Sequence, residues 1–377
     1  MTPPRRKLWL DWQRGLAVLF MIEVHVLDAW LAPDARTGAV YHALRMLGGF
    51  AAPGFLFMAG LSQALADAAA ERKGLPPGAR RAAALRRALW LLGVAYAFRA
   101  VAFLAGGAWR RPGGLGDVLR VDILNVIAVG LVLSALLSVG RSARLGALLA
   151  GAAALAIVLT TPLVADALRH YDLPAAGAAA GAAARQAPNR AVDVLLAYLY
   201  AGWPRANFHL FNWAAFLLAG SAVAPLARGE RRPALWLGLA AALFALGWWA
   251  DRWPAVYAYQ QFWRTSPSWF AMRLAVCLAM TGALQLVPDA AERGLGWLTL
   301  LGRQSLVGYV ASVELTYGAL ASPVKRVLSF PATVLGIVAM VALTWAISLG
   351  WEKYRGRRRA GGPRGEGGAG KVSGAAA

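Results

Sequence analysis

Apolar residues occur in long runs, separated by short basic or Gly/Pro-containing stretches. That spacing predicts membrane-crossing helices rather than strands. The runs lie near 8–31, 46–66, 88–107, 121–139, 145–165, 208–227, 233–250, 268–287, 297–319 and 331–351. The expected fold class is all-α, a polytopic integral membrane protein with about ten transmembrane helices. One transmembrane domain would occupy 1–355. A Gly-, Arg- and Ala-rich tail over 356–377 is expected to be disordered. The longest connection, 166–206, holds an Ala/Gly-rich run from 175 to 184. It continues as RAVDVLLAYLYAGW, whose amphipathic pattern predicts a helix lying flat on the membrane.

Polar positions interrupt this pattern most in the first run, LDWQRGLAVLFMIEVHVLDAW, where Arg14, Glu23, His25 and Asp28 are ionisable. A charge at mid-bilayer costs roughly 2.5–3.5 kcal/mol on insertion scales, so such side chains usually face the protein interior and mark a site. Arg14 and His25 are separated by ~16 Å of helical rise and only ~20° of rotation. They point the same way at different depths, as a site for a long anionic carrier requires. Asp11 can pair with Arg14, and His25 with Asp28, each three residues apart. A carboxylate beside an imidazole can fix its tautomer and raise its basicity. Glu23 points about 200° away from His25 and falls outside the cluster. The plainer alternative is an interfacial Asp11–Arg14 anchor with His25 as a hydrogen-bonded interhelical residue.

Four further segments carry polar groups. In GGFAAPGFLFMAGLSQAL, small residues allow close helix approach, and Pro53 is expected to break a backbone hydrogen bond near the outer end. In RVDILNVIA, Asp122 and Asn125 share a face beside Arg120, either to meet a hydroxylated acceptor or to satisfy one another. In PRANFHLFNWAAFLLAG, Asn207, His209 and Asn212 stand at an external mouth, where a histidine is more often an ordinary interfacial residue than a ligand. LLGRQSLVGYVASVELTYG carries Arg303, Ser305, Ser312 and Glu314, too polar for a lipid-facing helix, so it should be buried among the others. The acceptor-side candidates are thus Asp122, Asn125, His209, Arg303 and Glu314.

Composition supports the membrane reading: the 377 residues are 59% hydrophobic, with mean hydropathy +0.51. The net charge of +21 would point to nucleic acid in a soluble protein. No nucleic-acid module is present, so membrane lipid is the expected partner and nucleic acid is not. The clearest basic stretches, 72–87, 228–232 and 355–359, follow even-numbered spans, and Arg5, Arg6 and Lys7 share their side. The positive-inside rule then puts both termini in the cytoplasm. Arg110, Arg111, Lys325 and Arg326 run against this on the opposite face. No cleavable signal peptide is expected, because the first apolar segment is too long and too polar on one face. Cys277 stands alone, and the four histidines lack metal-ligand spacing, so no metal is expected. There is no G-x-S-x-G elbow, P-loop or dinucleotide fingerprint.

Taken together, DWQRGLAVLFMIEVHVLDAW, GGFAAPGFLFMAGLS, RVDILNVIAVGLVLSALL and LLGRQSLVGYVASVELTYG resemble bacterial relatives of heparan-alpha-glucosaminide N-acetyltransferase. The opening Arg-x10-His also resembles acyltransferase family 3, which acylates surface polysaccharides. The resemblance covers most of 5–350 and is densest in the first sixty residues. It implies transfer of an acetyl or short acyl group from cytoplasmic acyl-CoA to an amino or hydroxyl group of an extracytoplasmic glycan. The setting would be a bacterial cytoplasmic membrane. Arg14, with Asp11 beside it, would bind the acetyl-CoA or other acyl-CoA co-substrate. His25, assisted by Asp28, would be catalytic, taking the acceptor's proton or carrying the acyl group itself. Two departures stand out. Ser312 occupies a position where relatives often have a histidine, so a second catalytic histidine is not expected there. The stretch Phe208 to Asn212 replaces prolines, so the acceptor mouth should differ. A transporter or flippase for a polar or lipid-linked solute would use the same intramembrane charges and is the alternative.

Overall fold

The computed structural model describes residues 6–110, 118–168, 191–199 and 208–360. Its α-helices are, in chain order, α1 (Leu8–Trp30), α2 (Gly38–Gly48), α3 (Ala51–Arg72), α4 (Pro77–Ala105) and α5 (Ile123–Leu137). There follow α6 (Ala143–Leu168), α7 (Ala191–Leu199), α8 (Leu210–Val223), α9 (Pro233–Ala250) and α10 (Phe262–Thr265). The last four are α11 (Pro267–Leu286), α12 (Glu292–Arg303), α13 (Ser305–Tyr317) and α14 (Phe330–Ala360). The protein is an all-α polytopic membrane protein. Among the described residues, seven segments are long and apolar enough to span: α2 with α3, α4, α6, α8 with the turn after it, α9, α11 and α14. The other three expected segments are also helical, for different reasons. The apolar α5 has 15 residues, about 22 Å, short of the ~30 Å hydrocarbon core. The 23-residue α1 is long enough but charged. The expected ninth span breaks at Gln304 into α12 and α13.

A helix polar on several sides cannot face lipid, and α1 accordingly packs against α2, α3, α11, α12, α13 and α14. Its polar groups are satisfied by those neighbours. The Trp12 indole donates to Thr299 Oγ1 at 3.0 Å. Gln13 donates to the Cys277 carbonyl at 3.0 Å and accepts from the Thr281 hydroxyl at 2.9 Å. Lipid tails supply no hydrophobic drive between helices, so close backbone packing must hold the bundle. Two glycine seams provide it. A methyl group on Gly302 of α12 would collide with the Asp11 carbonyl on α1, and one on Gly15 with Leu298. The second seam joins α3 to α8, where methyls on Gly60 and Gly220 would collide with the Leu217 and Phe57 carbonyls. The small residues of the second apolar run therefore do what their pattern predicts.

Three local expectations change. Pro53 lies in the first turn of α3, where its missing N–H has no intrahelical partner to lose, so it starts a helix rather than breaking one. The basic stretch 72–87 is largely helical: α3 runs to Arg72 and α4 begins at Pro77, with Arg80 held by Asp67 at 3.2 Å. The last helix continues through 356–360. The rest of the expected tail, the 175–184 run and Asn207 lie outside the described residues. Of the expected surface helix after it, 191–199 is helical, as α7.

The bundle has two distinguishable ends. At the Asp11 end, Lys7 donates to the Gly229 carbonyl at 2.8 Å, Arg81 to Val139, and Arg303 pairs with Glu352 at 2.6 Å. The start of α1, the 228–232 stretch and the end of α14 therefore meet there. At the Asp28 end, α1 stops at Leu31, which forms an isolated bridge with Leu328.

Candidate active site

The Asp28 end encloses a cavity of about 1100 Å³. Met21, His25 and Asp28 line it from α1, and Tyr41, His42 and Arg45 from α2. Ala52 and Phe55 come from α3, Arg99 from α4, Trp213 from α8, and Arg273 from α11. Tyr309 and Tyr317 come from α13, and Arg120 and Asp122 from the approach to α5. The α-helical period brings Met21, His25 and Asp28 onto one stripe of α1.

His25 faces the cavity with its Nδ1 buried and without a hydrogen-bond partner. The ring of Tyr317 stands edge-on to it, centroids 5.4 Å apart. No hydrogen bond joins His25 to Asp28, so the expected direct pair is absent. Asp28 is taken by other groups: the Tyr317 hydroxyl donates to Oδ2 at 3.3 Å, and Arg36 lies 3.8 Å from Oδ1. Tyr317 thus touches both residues. The aromatic residue was visible at the end of a polar run, but Asp28 lies 289 positions away and His25 farther still.

Arg14 does not line the cavity. Its guanidinium contacts Ser62 on α3 and lies 3.5 Å from Asp11 Oδ1, so the expected Asp11–Arg14 pair forms. Asp11 also accepts from Arg6 at 2.6 Å. The deepest α1 residue of the cavity, Met21, is seven positions from Arg14, about 10 Å of helix. Between them Ala17 faces Gly54, where an added methyl would meet the Ala17 Cβ at 3.4 Å, ordinary contact. Small side chains thus border the seam from Arg14 to the cavity.

The acceptor-side candidates divide. Asp122 lines the cavity and pairs with Arg99. Asn125 is buried behind it, accepting from the Asp122 N–H at 3.1 Å and donating to Tyr198 at 3.3 Å. Burial raises the Tyr198 hydroxyl above its usual range, so it stays neutral and shares a 2.8 Å hydrogen bond with Tyr96. His209 is buried beside the mouth at the start of α8, outside the cavity lining. Nearby Asn212 has φ 70° and ψ −48°, close to the rare classic γ-turn, and donates to the Arg264 carbonyl at 2.9 Å. Glu314 is not among the residues that line the cavity. Arg303 lies at the opposite end with Glu352.

Arg273 was missed in the sequence. It lies among apolar residues in PSWFAMRLAVCLAM, the same signal that singled out Arg14, but without a titratable residue at matching angle. Among the described residues no group of three or more His, Cys, Asp or Glu side chains is placed to hold a metal ion.

No curated protein matches the chain. The model of the acyltransferase family 3 domain, described as an acyltransferase domain, matches residues 7–349, from the start of α1 into α14. With this match over most of its helical membrane bundle, the chain belongs to acyltransferase family 3 and is a transmembrane acyltransferase.

Proposed function

We propose that this enzyme moves an acetyl or short acyl group from cytoplasmic acyl-CoA to an amino or hydroxyl group of an extracytoplasmic glycan, across a bacterial cytoplasmic membrane. The observation that carries the reading is the division of α1. Arg14 stands near one end, and His25 faces a large cavity with charged residues in its wall at the other. The ~16 Å between them matches an extended pantetheine arm. A guanidinium offers planar, charge-assisted donors to phosphate, so Arg14, with Asp11 holding it, receives the CoA phosphates. The small-residue seam at Ala17 and Gly54 is the route by which the arm reaches His25. The likeness to heparan-alpha-glucosaminide N-acetyltransferase relatives supports a sugar amine or hydroxyl as acceptor.

At the cavity, His25 takes the acceptor proton as its nitrogen or oxygen attacks the thioester carbonyl. The carbon–sulfur bond breaks, and the CoA thiolate leaves and recovers the proton from the imidazolium. In the same framework, the imidazole can instead attack first and carry the acyl group to the acceptor. The Tyr317 ring packs edge-on against the imidazole, and its hydroxyl donates to Asp28 beside it. The orientation rests on the clustering of Lys7, the 228–232 stretch and the end of α14 at the Asp11 end, which the positive-inside rule assigns to the cytoplasm.

Membranes incubated with labelled acetyl-CoA and an envelope glycan extract test this. The His25→Ala variant should lose transfer by at least about 10²-fold, the usual contribution of a general base. Arg14→Ala should raise the KM for acyl-CoA about 10- to 100-fold, matching ~1.5–3 kcal/mol for a charged hydrogen bond. Full activity in His25→Ala, with normal expression, would sink the assigned role.

A further inference from the structure

Basic residues at the non-cytoplasmic end of a membrane protein run against the positive-inside rule. The cavity at the Asp28 end nevertheless carries four arginines, Arg45, Arg99, Arg120 and Arg273, against two aspartates, Asp28 and Asp122. Arg99 is matched by Asp122. Arg273 is not matched by any carboxylate among the described residues. It is only 9% exposed, within a membrane-spanning helix. Its guanidinium donates to the Gly49 carbonyl, approaches Met46 Sδ at 3.8 Å, and lies over the Phe50 and Trp269 rings at 4.6 and 5.3 Å. Those contacts orient the group but leave its charge uncompensated. A buried charge without a counter-ion is costly. A cavity that presents one therefore suits a ligand that brings the negative charge.

Accepting the acyl transfer set out above, we infer that Arg273, with Arg45 at the rim, forms an anion subsite that selects acceptors bearing a phosphate or carboxylate. The acceptor is then an acidic or phosphorylated glycan, held by its anion at the Gly49–Phe50 turn while its amine or hydroxyl meets His25. Gly49 is part of the device. A Cβ there would lie 2.6 Å from Arg273 Nη1, so Gly49→Ala displaces the guanidinium while leaving the helices in place.

Thermal unfolding of the purified full chain in detergent, without acyl-CoA, reads this directly, because a ligand that binds the folded state raises Tm. Glucosamine 1-phosphate or glucuronate should stabilise the wild type where uncharged glucose does not. Arg273→Gln should abolish that shift, Gly49→Ala should weaken it, and both should keep the shift given by CoA. In transfer assays the KM for the glycan should rise at least tenfold in Arg273→Gln, with the KM for acetyl-CoA unchanged. No shift with either sugar anion overturns the inference while leaving the acyltransferase reading intact. Loss of the CoA shift in Arg273→Gln also overturns it, by assigning the arginine to the donor's phosphates. A sugar-anion shift in a protein that CoA does not stabilise would keep the subsite and remove CoA as donor.

Discussion

At the scale of single residues, the site is made by groups that are cheap only when something else satisfies them. Asp28 is the clearest case. The sequence places it one turn from His25, yet Tyr317 and Arg36 hold it, because Tyr317 arrives at that end of α1 from far along the chain and Arg36 folds back onto it from just beyond the helix. Tyr317→Phe removes one hydrogen bond, worth about 1 kcal/mol. It should lower kcat about fivefold with no more than a small fall in Tm, as measured by acyl transfer and thermal unfolding on one preparation. A fall in Tm with kcat intact would mark Tyr317 as a packing residue instead. The Arg14 and His25 pattern was legible because both lie on one helix, whose period the sequence dictates. Tyr317 and Arg273 were not, because their partners lie on α1 and at the α2–α3 turn.

At the scale of elements, helix packing rests on where glycine permits backbone contact. Gly60 and Gly54 stand within two turns of each other on α3 but meet different surroundings. At Gly60 a methyl strikes the α8 backbone, which cannot move aside without shifting the helix. At Gly54 it makes ordinary contact with Ala17. Gly60→Ala should therefore lose stability on the scale of overpacking, roughly 1–3 kcal/mol, seen as a lowered Tm. Gly54→Ala should keep Tm but narrow the seam, raising the KM for acyl-CoA. Equal Tm losses in the two variants would mean that the seam is simply packed core. The helical segments themselves were legible from apolar runs. The break at Gln304 was not: the polar Arg303, Gln304 and Ser305 signalled burial, but a turn there depends on the neighbouring helices that receive them.

At the scale of the molecule, the two ends of the bundle differ in charge and in openness. The cytoplasmic assignment of the Asp11 end predicts the labelling of introduced cysteines, and Cys277, fully buried, should give little background. In a Cys277→Ser chain, Ser142→Cys should react with a membrane-impermeant maleimide only from the cytoplasmic face, and Thr37→Cys only from outside. Labelling of Thr37→Cys from the cytoplasm would reverse the orientation and, with it, the sides assigned to donor and acceptor.

The sequence by itself determined the helical membrane class, the clustering of basic stretches, the glycine-lined faces and the alignment of Arg14 with His25. Each of these is set by composition or by a helical repeat within one segment. Only the tertiary structure decided that Asp28 answers to Tyr317 rather than to His25, that Arg303 lies at the far end from the cavity, and that an arginine on α11 faces the same space as His25. Those are relations between segments hundreds of residues apart. They depend on how tightly the helices approach, which the glycine seams set and no periodicity records.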